Sequence, residues 1–103
     1  MMPIYDADTL RKVSSDARLA EFNYVRDNYV PKALCKINEA NFTAANAGRS
    51  FSHEKLNLLV MGLATEESQN YLRIGLKTEL ETLGLKVDIV MRPNGMMEIT
   101  CRW

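Results

Sequence analysis

The sequence predicts one α+β domain in which two helices are followed by a strand, a third helix and a closing β-hairpin. Apolar residues recur at helical spacing before Gly48, and they alternate with polar residues over 86–91 and 97–103. The chain has 103 residues, 47% of them hydrophobic and 25% charged, which is the size of one domain with enough apolar surface to fold. We expect a long N-terminal helix over residues 1–30, available as a binding arm, and a compact core over residues 31–103.

Two helices separated by a proline are predicted at the start of the chain. Asp6 or Asp8 can cap the first, because either carboxylate accepts a hydrogen bond from an unpaired N–H of the first turn. Pro31 breaks the helix near residues 28–30, since its ring clashes with the carbonyl four residues back. It then opens a second helix, which Gly48 ends in a left-handed conformation. The apolar stripe of the first helix consists of Leu10, Val13, Ala17, Ala20 and Tyr24.

A first strand is predicted over residues 56–61, and Gly62 ends it. Successive side chains of a strand point to opposite faces, so this run gives one face covered by helices and one outer face. The covered face would carry Leu56, Leu58 and Val60, and the outer face Leu59 and Met61.

The third helix is predicted between Thr65 and Gly84. Thr65 is a good N-cap and is followed by two glutamates, whose charge suits the start of a helix. Gly84 ends the helix, and Leu85 closes the hydrophobic contact of that C-cap. Gly75 costs about 1 kcal/mol relative to alanine inside a helix, so we expect another backbone to approach it closely. The apolar stripe consists of Leu72, Leu76, Leu80 and Leu83.

The C-terminal hairpin is the most specific pattern in the chain. A two-residue turn at Asn94 and Gly95 would place polar residues opposite apolar ones, whereas a three-residue loop over 93–95 aligns all the apolar residues on one face. Pro93 suits the first corner of a type I turn, and Gly95 suits a left-handed bulge residue. The resulting pairs are Met91 with Met97, Ile89 with Ile99, Val87 with Cys101 and Leu85 with Trp103.

The connections predict a three-stranded, fully antiparallel sheet in the spatial order 1-3-2. A single crossover helix leaves the first and second strands parallel in direction. The third strand is antiparallel to both and therefore fits between them. The second and third helices are expected to cover the inner face of this sheet.

Charge and cysteine content disfavour several classes of partner. Thirteen Lys and Arg balance thirteen Asp and Glu evenly along the chain, so we expect neither nucleic acid nor an acidic membrane as a partner. No apolar run approaches the ~20 residues of a membrane span, and the first residues lack the pattern of a secretion signal, so we expect a cytoplasmic protein. Cys35 and Cys101 are interpreted as buried, reduced thiols at core-facing positions.

The arrangement of polar residues does not indicate an active site. Two serines, His53 and Glu54 are close in sequence, but neighbours on a strand alternate faces and cannot form a hydrolase triad. The glutamate pairs at 66–67 and 79–81 point in divergent directions on a helix. Two cysteines and one histidine cannot make a four-ligand zinc site without carboxylates, and the dispersed glycines form no phosphate-binding loop. We therefore expect no enzymatic activity, no metal and no cofactor.

The order of elements after residue 33 resembles small accessory proteins of tailed bacteriophages. The resemblance lies in a helix ending at Gly48, a strand, a capped helix ending in Leu-Gly-Leu-Lys-Val (83–87) and a hairpin ending in Ile-Thr-Cys-Arg-Trp (99–103). It covers residues 33–103, and Leu85 stands where an aromatic residue is usual. The resemblance implies a virus-encoded helper that binds another molecule in the host cytoplasm, and it transfers no active site.

Two surfaces are predicted to bind a partner. The outer sheet face would expose contiguous apolar groups, which a small monomer rarely does unless another element, here the first helix, covers them. The first helix is too weak to be held by propensity alone, so we expect it to pack on a partner, on a second copy or on its own sheet. The candidate residues are Leu59, Met61, Val90 and Met96 on the sheet, and Leu10, Val13 and Tyr24 on the first helix.

These features lead to the hypothesis of a non-catalytic protein-binding module that forms a homo-oligomer. The leading form is a phage-type accessory protein that inhibits or redirects a host factor by direct binding. One alternative is a structural or assembly component of a virion. Another is a protein that sequesters a small, nucleotide-like ligand in a pocket between subunits.

Overall fold

The computed structural model describes residues 4–103 and confirms the α+β class. The three strands form an antiparallel sheet in the predicted order 1-3-2. The first three residues of the predicted arm lie outside the described residues. The helices are α1 (Ala7–Asn28), α2 (Val30–Asn46), the single turn α3 (Leu58–Met61) and α4 (Glu66–Thr82). The strands are β1 (Phe51–Asn57), β2 (Lys86–Arg92) and β3 (Met96–Arg102).

The boundaries of the first two helices follow the predicted signals. The Oδ1 atom of Asp6 accepts a hydrogen bond from the Thr9 N–H at 2.7 Å and so caps α1. Tyr29 separates α1 from α2, and Pro31 lies in the first turn of α2, where a missing N–H costs no helical hydrogen bond. Gly48 follows α2 with a φ of +79°, which confirms the predicted left-handed end.

The predicted register of the hairpin is confirmed over the whole of β2 and β3, where Ile89 faces Ile99. The loop between the strands differs from the prediction. Gly95 is left-handed as predicted, with a φ of +72°, but Asn94 is left-handed as well, with a φ of +64°. A type I turn requires negative φ at both central positions, so the expected turn type is wrong. Asparagine adopts the left-handed region more readily than most residues, which explains why the chain tolerates it here.

The last predicted pair of the hairpin, Leu85 with Trp103, is not part of the ladder. Instead, the Trp103 N–H donates a hydrogen bond to the Ser50 carbonyl at 3.0 Å. This bond connects the end of the chain to the segment that precedes β1.

The predicted first strand over residues 56–61 is wrong, because the chain leaves the sheet after Asn57. The Asn57 side chain accepts a hydrogen bond from the Val60 N–H at 3.2 Å and caps a helical turn instead. Gly62, with a φ of +98°, ends that turn. The strand covers Phe51–Asn57 and so begins earlier than predicted. Val60, which was predicted on the covered face, is 82% exposed.

The core lies between the inner face of the sheet and the helices α2 and α4. Leu83 does not join it as predicted but is 64% exposed, because α4 ends at Thr82. Leu85 packs against the core after the turn, and its N–H donates to the Leu80 carbonyl at 3.3 Å. The buried core residues are Val25, Val30, Ala33, Ile37, Leu56, Leu58, Leu63, Leu72, Leu76, Leu80, Met97, Ile99 and Cys101.

The two cysteines are free thiols in different environments. Cys101 is buried, as predicted, and burial raises the pKa of its thiol. Cys35 is exposed, contrary to the prediction. The reason is that Ala33 and Ile37 define the buried face of this part of α2, and the residue midway between them points away from it.

Gly75 is buried where α4 passes the start of α2. A Cβ atom at this position would lie 2.8 Å from the Cγ2 atom of Val30. The predicted close approach is therefore present, but it involves a side chain of α2 rather than its backbone.

Candidate binding surface

The N-terminal part of α1 projects beyond the rest of the molecule. The structure measures 67 × 27 × 19 Å along its principal axes, and residues 4–20 are all exposed. Near its C-terminal end, α1 is held by Val25, which is buried, and by the ring of Phe22, which meets the ring of Tyr71 edge-on at 5.5 Å. We call residues 7–20 the arm; at 1.5 Å per residue the arm is about 20 Å long.

The apolar residues predicted to bind a partner on the first helix are open to solvent. Leu10, Val13 and Tyr24 are 52%, 58% and 59% exposed. The alternative that α1 folds back over its own sheet is wrong, since residues 4–20 are exposed throughout. We call the line of apolar residues at three- and four-residue steps the α1 stripe: Leu10, Val13, Ala17, Ala20 and Tyr24.

The α1 stripe is not an extension of the line by which α1 packs on the body. At 3.6 residues per turn, the stripe lies about 130° around the helix from the line of Phe22, Val25 and Tyr29. Toward the N-terminus that body-facing line is occupied by Arg11 and Arg18. The sequence thus becomes polar where the body ends, but stays apolar along the stripe. Packing of α1 on the body therefore does not account for the apolar residues of the stripe within the arm.

The four candidate residues on the sheet do not form one surface. Val90 is 44% exposed and Met96 is half-buried, and both lie on the outer face of the sheet. Leu59 and Met61 belong to α3 instead. Leu59 is exposed beside Gly95 at the tip of the hairpin, whereas Met61 is half-buried against the core. The contiguous apolar sheet face is therefore a wrong prediction, and its cause is the misplaced first strand.

Ion pairs, rather than apolar groups, dominate the outer sheet face. The Nε atom of Arg92 lies 3.0 Å from Oε2 of Glu98, and Nζ of Lys55 lies 3.8 Å from Oε1 of the same glutamate. The hydrogen bond from Arg92 lowers the pKa of Glu98 below its ordinary value. Arg102 and Asp88 form a further cross-strand pair at 3.1 Å. The predicted hairpin register already contained the signal for two of these pairs, because it places the oppositely charged residues diagonally across β2 and β3.

The residues that resembled a hydrolase triad are divided between the two faces of β1. His53 lies on the outer face, where its Nδ1 atom is 3.0 Å from Oγ1 of Thr100. Ser52 lies on the inner face and donates a hydrogen bond to the side chain of Asn41 in α2. The alternation of neighbouring residues on a strand is confirmed, and it separates this serine from the histidine.

The clefts of the described residues are open to solvent. One of them, with a volume of about 710 Å³, lies between the start of α4 and the hairpin tip and is lined by Glu66, Glu67 and Arg92 among others. Within residues 4–103, no three His, Cys, Asp or Glu side chains come together as a metal site would require.

None of the helices described over residues 4–103 combines the length and apolar character needed to cross a bilayer. Comparisons with protein-family models, with curated proteins and with solved structures found no match to the chain.

Proposed function

We propose that the protein is a non-catalytic protein-binding module that binds its partner through the α1 stripe. The observation that carries the proposal is the arm itself, a helix that leaves the body and keeps an exposed apolar line where its body-facing line has become polar. Apolar surface arranged in this way is stabilised by packing against a second protein surface, since its burial is favourable.

The stability of the arm supports the same proposal. Helices shorter than about 12–15 residues are marginal in water without tertiary packing. The arm has no such packing within the chain, so a partner that covers the stripe would also stabilise the helix. The partner is expected to be a protein rather than nucleic acid or an acidic membrane, because α1 carries four basic and four acidic residues.

Among specific roles, we propose first a phage-type accessory protein that inhibits or redirects a factor of the host cell. An assembly component is the second candidate, favoured by the reach of the arm beyond its own body, since such arms suit repeated contacts between subunits. The cleft between the start of α4 and the hairpin tip is lined by two carboxylates, Glu66 and Glu67, and one guanidinium, Arg92, and this net negative charge disfavours a phosphate-bearing, nucleotide-like ligand there.

A photo-crosslinking amino acid tests the proposed binding surface in the cell that produces the protein. Benzoylphenylalanine at position 13 in the α1 stripe should form discrete protein adducts on illumination. The matched control is position 19, which is also apolar and is 59% exposed, but lies about 120° around the helix from position 13. An absence of protein adducts from position 13, or equal yields from both positions, would contradict the proposal.

A further inference from the structure

We propose that β2, an edge strand of the sheet, pairs with β2 of a second copy of this chain, with the two strands antiparallel. The two three-stranded sheets would then form one continuous sheet of six strands. This surface is separate from the α1 stripe, so the inference goes beyond the proposed function and does not rest on it.

The backbone of β2 is open to a further strand on one side. β2 pairs with β3 alone, and no other backbone hydrogen bond within residues 4–103 involves it. The N–H and C=O groups that point away from β3 therefore have no backbone partner in this part of the chain. A row of such groups is a template for pairing with another strand.

The side chains of β2 lack the features that usually protect an edge strand from pairing, which are charged residues, prolines and bulges. The other edge strand, β1, carries His53, Glu54 and Lys55 at its middle. Lys36 of α2 also lies 4.0 Å from Glu54 and so flanks that edge. β2 instead carries the apolar run 89–91, and its register with β3 contains no bulge.

Two large apolar side chains of this run are exposed, one on each face of the sheet. Val90 is 44% exposed on the outer face, and Met91 is 38% exposed on the inner face. The open cleft between the start of α4 and the hairpin tip is lined by Met91 and Arg92, so α4 does not cover this end of the edge. A strand added here would remove both apolar side chains from water, which is favourable.

The apolar side chains of β2 fit their own copy in one register. Residues that lie opposite each other in an antiparallel pair share a face of the sheet. When the pair is centred on Val90, this residue meets Val90 of the second copy on the outer face. On the inner face, Ile89 lies opposite Met91 at two symmetric places. A pair centred on Met91 would be shorter, because it brings Pro93, which has no N–H, opposite Ile89.

The charges of β2 select the same register. A pair centred on Val90 places Asp88 opposite Arg92 of the second copy, twice by symmetry. The two copies of Asp88 are then four residues apart along the strands, or about 13 Å. A pair centred on Ile89 would instead place Lys86 opposite Arg92. A pair centred on Asp88 would place two carboxylates opposite each other.

The ion pairs of the outer face would continue across this contact. Within one chain, Glu98 lies between Lys55 and Arg92, and Asp88 is paired with Arg102. The Nε–H group of Arg92 donates to Glu98, and the other N–H donors of its guanidinium can reach Asp88 of the second copy. The charges would then alternate in sign from Lys55 of one copy to Arg102 of the other.

Sedimentation equilibrium of the full chain tests the association. The native chain should form a dimer, and Val90→Lys should weaken it by about tenfold or more, because two ammonium groups would meet at the centre of the pair. Val60→Lys is the matched control and should leave the dimer unchanged, since Val60 is 82% exposed on α3, which follows the other edge strand. Circular dichroism should show that both variants are folded, because lysine is tolerated at exposed edge positions.

Charge reversal tests the register. Asp88→Lys should weaken the dimer by about tenfold or more because it sets lysine against Arg92, and Arg92→Glu should do the same because it sets glutamate against Asp88. A mixture of the two variants should restore dimers as heterodimers, in which one pair joins the two introduced residues and the other pair is native. The ion pairs that each variant loses within its own chain are the same before and after mixing, so they cannot cause this rescue.

Distances between spin labels test the orientation. A nitroxide on Lys86→Cys, in a Cys35→Ser background, should give a separation of about 26 Å, since the labelled residues lie eight positions apart along the antiparallel strands. A parallel pair in register would hold the labelled backbones about 5 Å apart. The shorter separation would overturn the inference.

Three further outcomes would also overturn it. The first is a chain that remains monomeric at every concentration, and the second is a dimer that Val90→Lys leaves intact. The third is a pair of charge-reversed variants that do not rescue each other on mixing. A dimer that Val13→Asp abolishes and Val90→Lys does not would assign the contact between copies to the α1 stripe. None of these outcomes changes the crosslinking test of the proposed function at position 13.

Discussion

At the scale of single residues, Gly75 determines how closely α4 approaches α2. Its Cα hydrogens face the Cγ2 atom of Val30, and a methyl group in their place would lie 2.8 Å from that atom. Valine is stiff at χ1, so Val30 has little freedom to move aside. The packing of the two helices at this point therefore depends on the absence of a side chain.

Gly75→Ala should lower the free energy of unfolding by about 1 kcal/mol. Overpacking of a core costs about 1–3 kcal/mol, and the better helix propensity of alanine returns only about 1 kcal/mol of this. Urea denaturation followed by circular dichroism measures the difference. In a Val30→Ala background the clash is gone, so the same substitution should there stabilise the protein. A stabilising effect in the native background would show that the two helices separate at low cost.

At the scale of secondary-structure elements, α1 is fixed in different ways at its two ends. Its C-terminal end packs on α4 through Phe22 and Tyr71. Its N-terminal end is held by the Asp6 cap, whose pKa is lowered by hydrogen bonding from the side chain and the backbone N–H of Thr9. The N-terminal end of the arm thus depends on the charge state of one carboxylate.

The helicity of the arm should fall with pH as Asp6 is protonated. A lowered folded-state pKa means that the cap contributes fully above the ordinary value of 3.8 and is lost as the pH falls through the lowered pKa. Ellipticity at 222 nm should show Asp6→Ala less helical than the native chain at pH 7, with the difference vanishing in acid. Asp6→Asn should keep the helicity without the pH dependence, since asparagine also caps. The same titration in Asp6→Ala would disprove the assignment to this residue.

The elements that sequence patterns predicted correctly are those whose signals are local. The hairpin register, the Asp6 cap and the helix break at Pro31 each depend on residues close together in the chain. The position of the first strand was predicted wrongly because its inner face carries the polar residue Ser52. The burial of Ser52 depends on a hydrogen bond to Asn41 in a different element. Tertiary contacts of this kind leave no periodic pattern in the sequence.

Each part of the candidate surface was predicted correctly only where the helix or strand that carries it was predicted correctly. The α1 stripe was found because it lies on one correctly placed helix. The sheet surface was predicted wrongly because Leu59 and Met61 were assigned to a strand. In the structure they lie in the helical turn that Asn57 caps. The separation of the α1 stripe from the body-facing line needed the structure, since it depends on which face of α1 meets α4.

At the scale of the whole molecule, the chain is elongated for its length. Its radius of gyration is 17.2 Å, whereas a compact domain of this size has about 13 Å. The excess comes from the arm. Within residues 4–103, the core residue nearest the N-terminus is Val25, so we expect the arm and the body to be separable in stability.

Removal of residues 1–20 should leave the free energy of unfolding of the monomer within about 0.5 kcal/mol of its native value, since no core residue is lost. Small-angle scattering of the monomer should show the radius of gyration falling toward that of a compact domain. Removal of residues 1–26 is the matched control and should destabilise the body by about 2 kcal/mol or more, because it deletes Phe22 and the buried Val25. Equal losses in both truncations would mean that the arm supports the body.

The exposed arm also affects how long the intact chain survives in a cell. Arg11, Lys12 and Arg18 are exposed on it, and trypsin-like proteases cleave after such residues when a helix end opens. A cut there would leave a folded body that has lost the α1 stripe. A partner bound to the arm would protect it from cleavage, whereas unbound arms would be cleaved. When the partner is scarce, the protein would therefore lose its binding surface irreversibly instead of only dissociating from the partner.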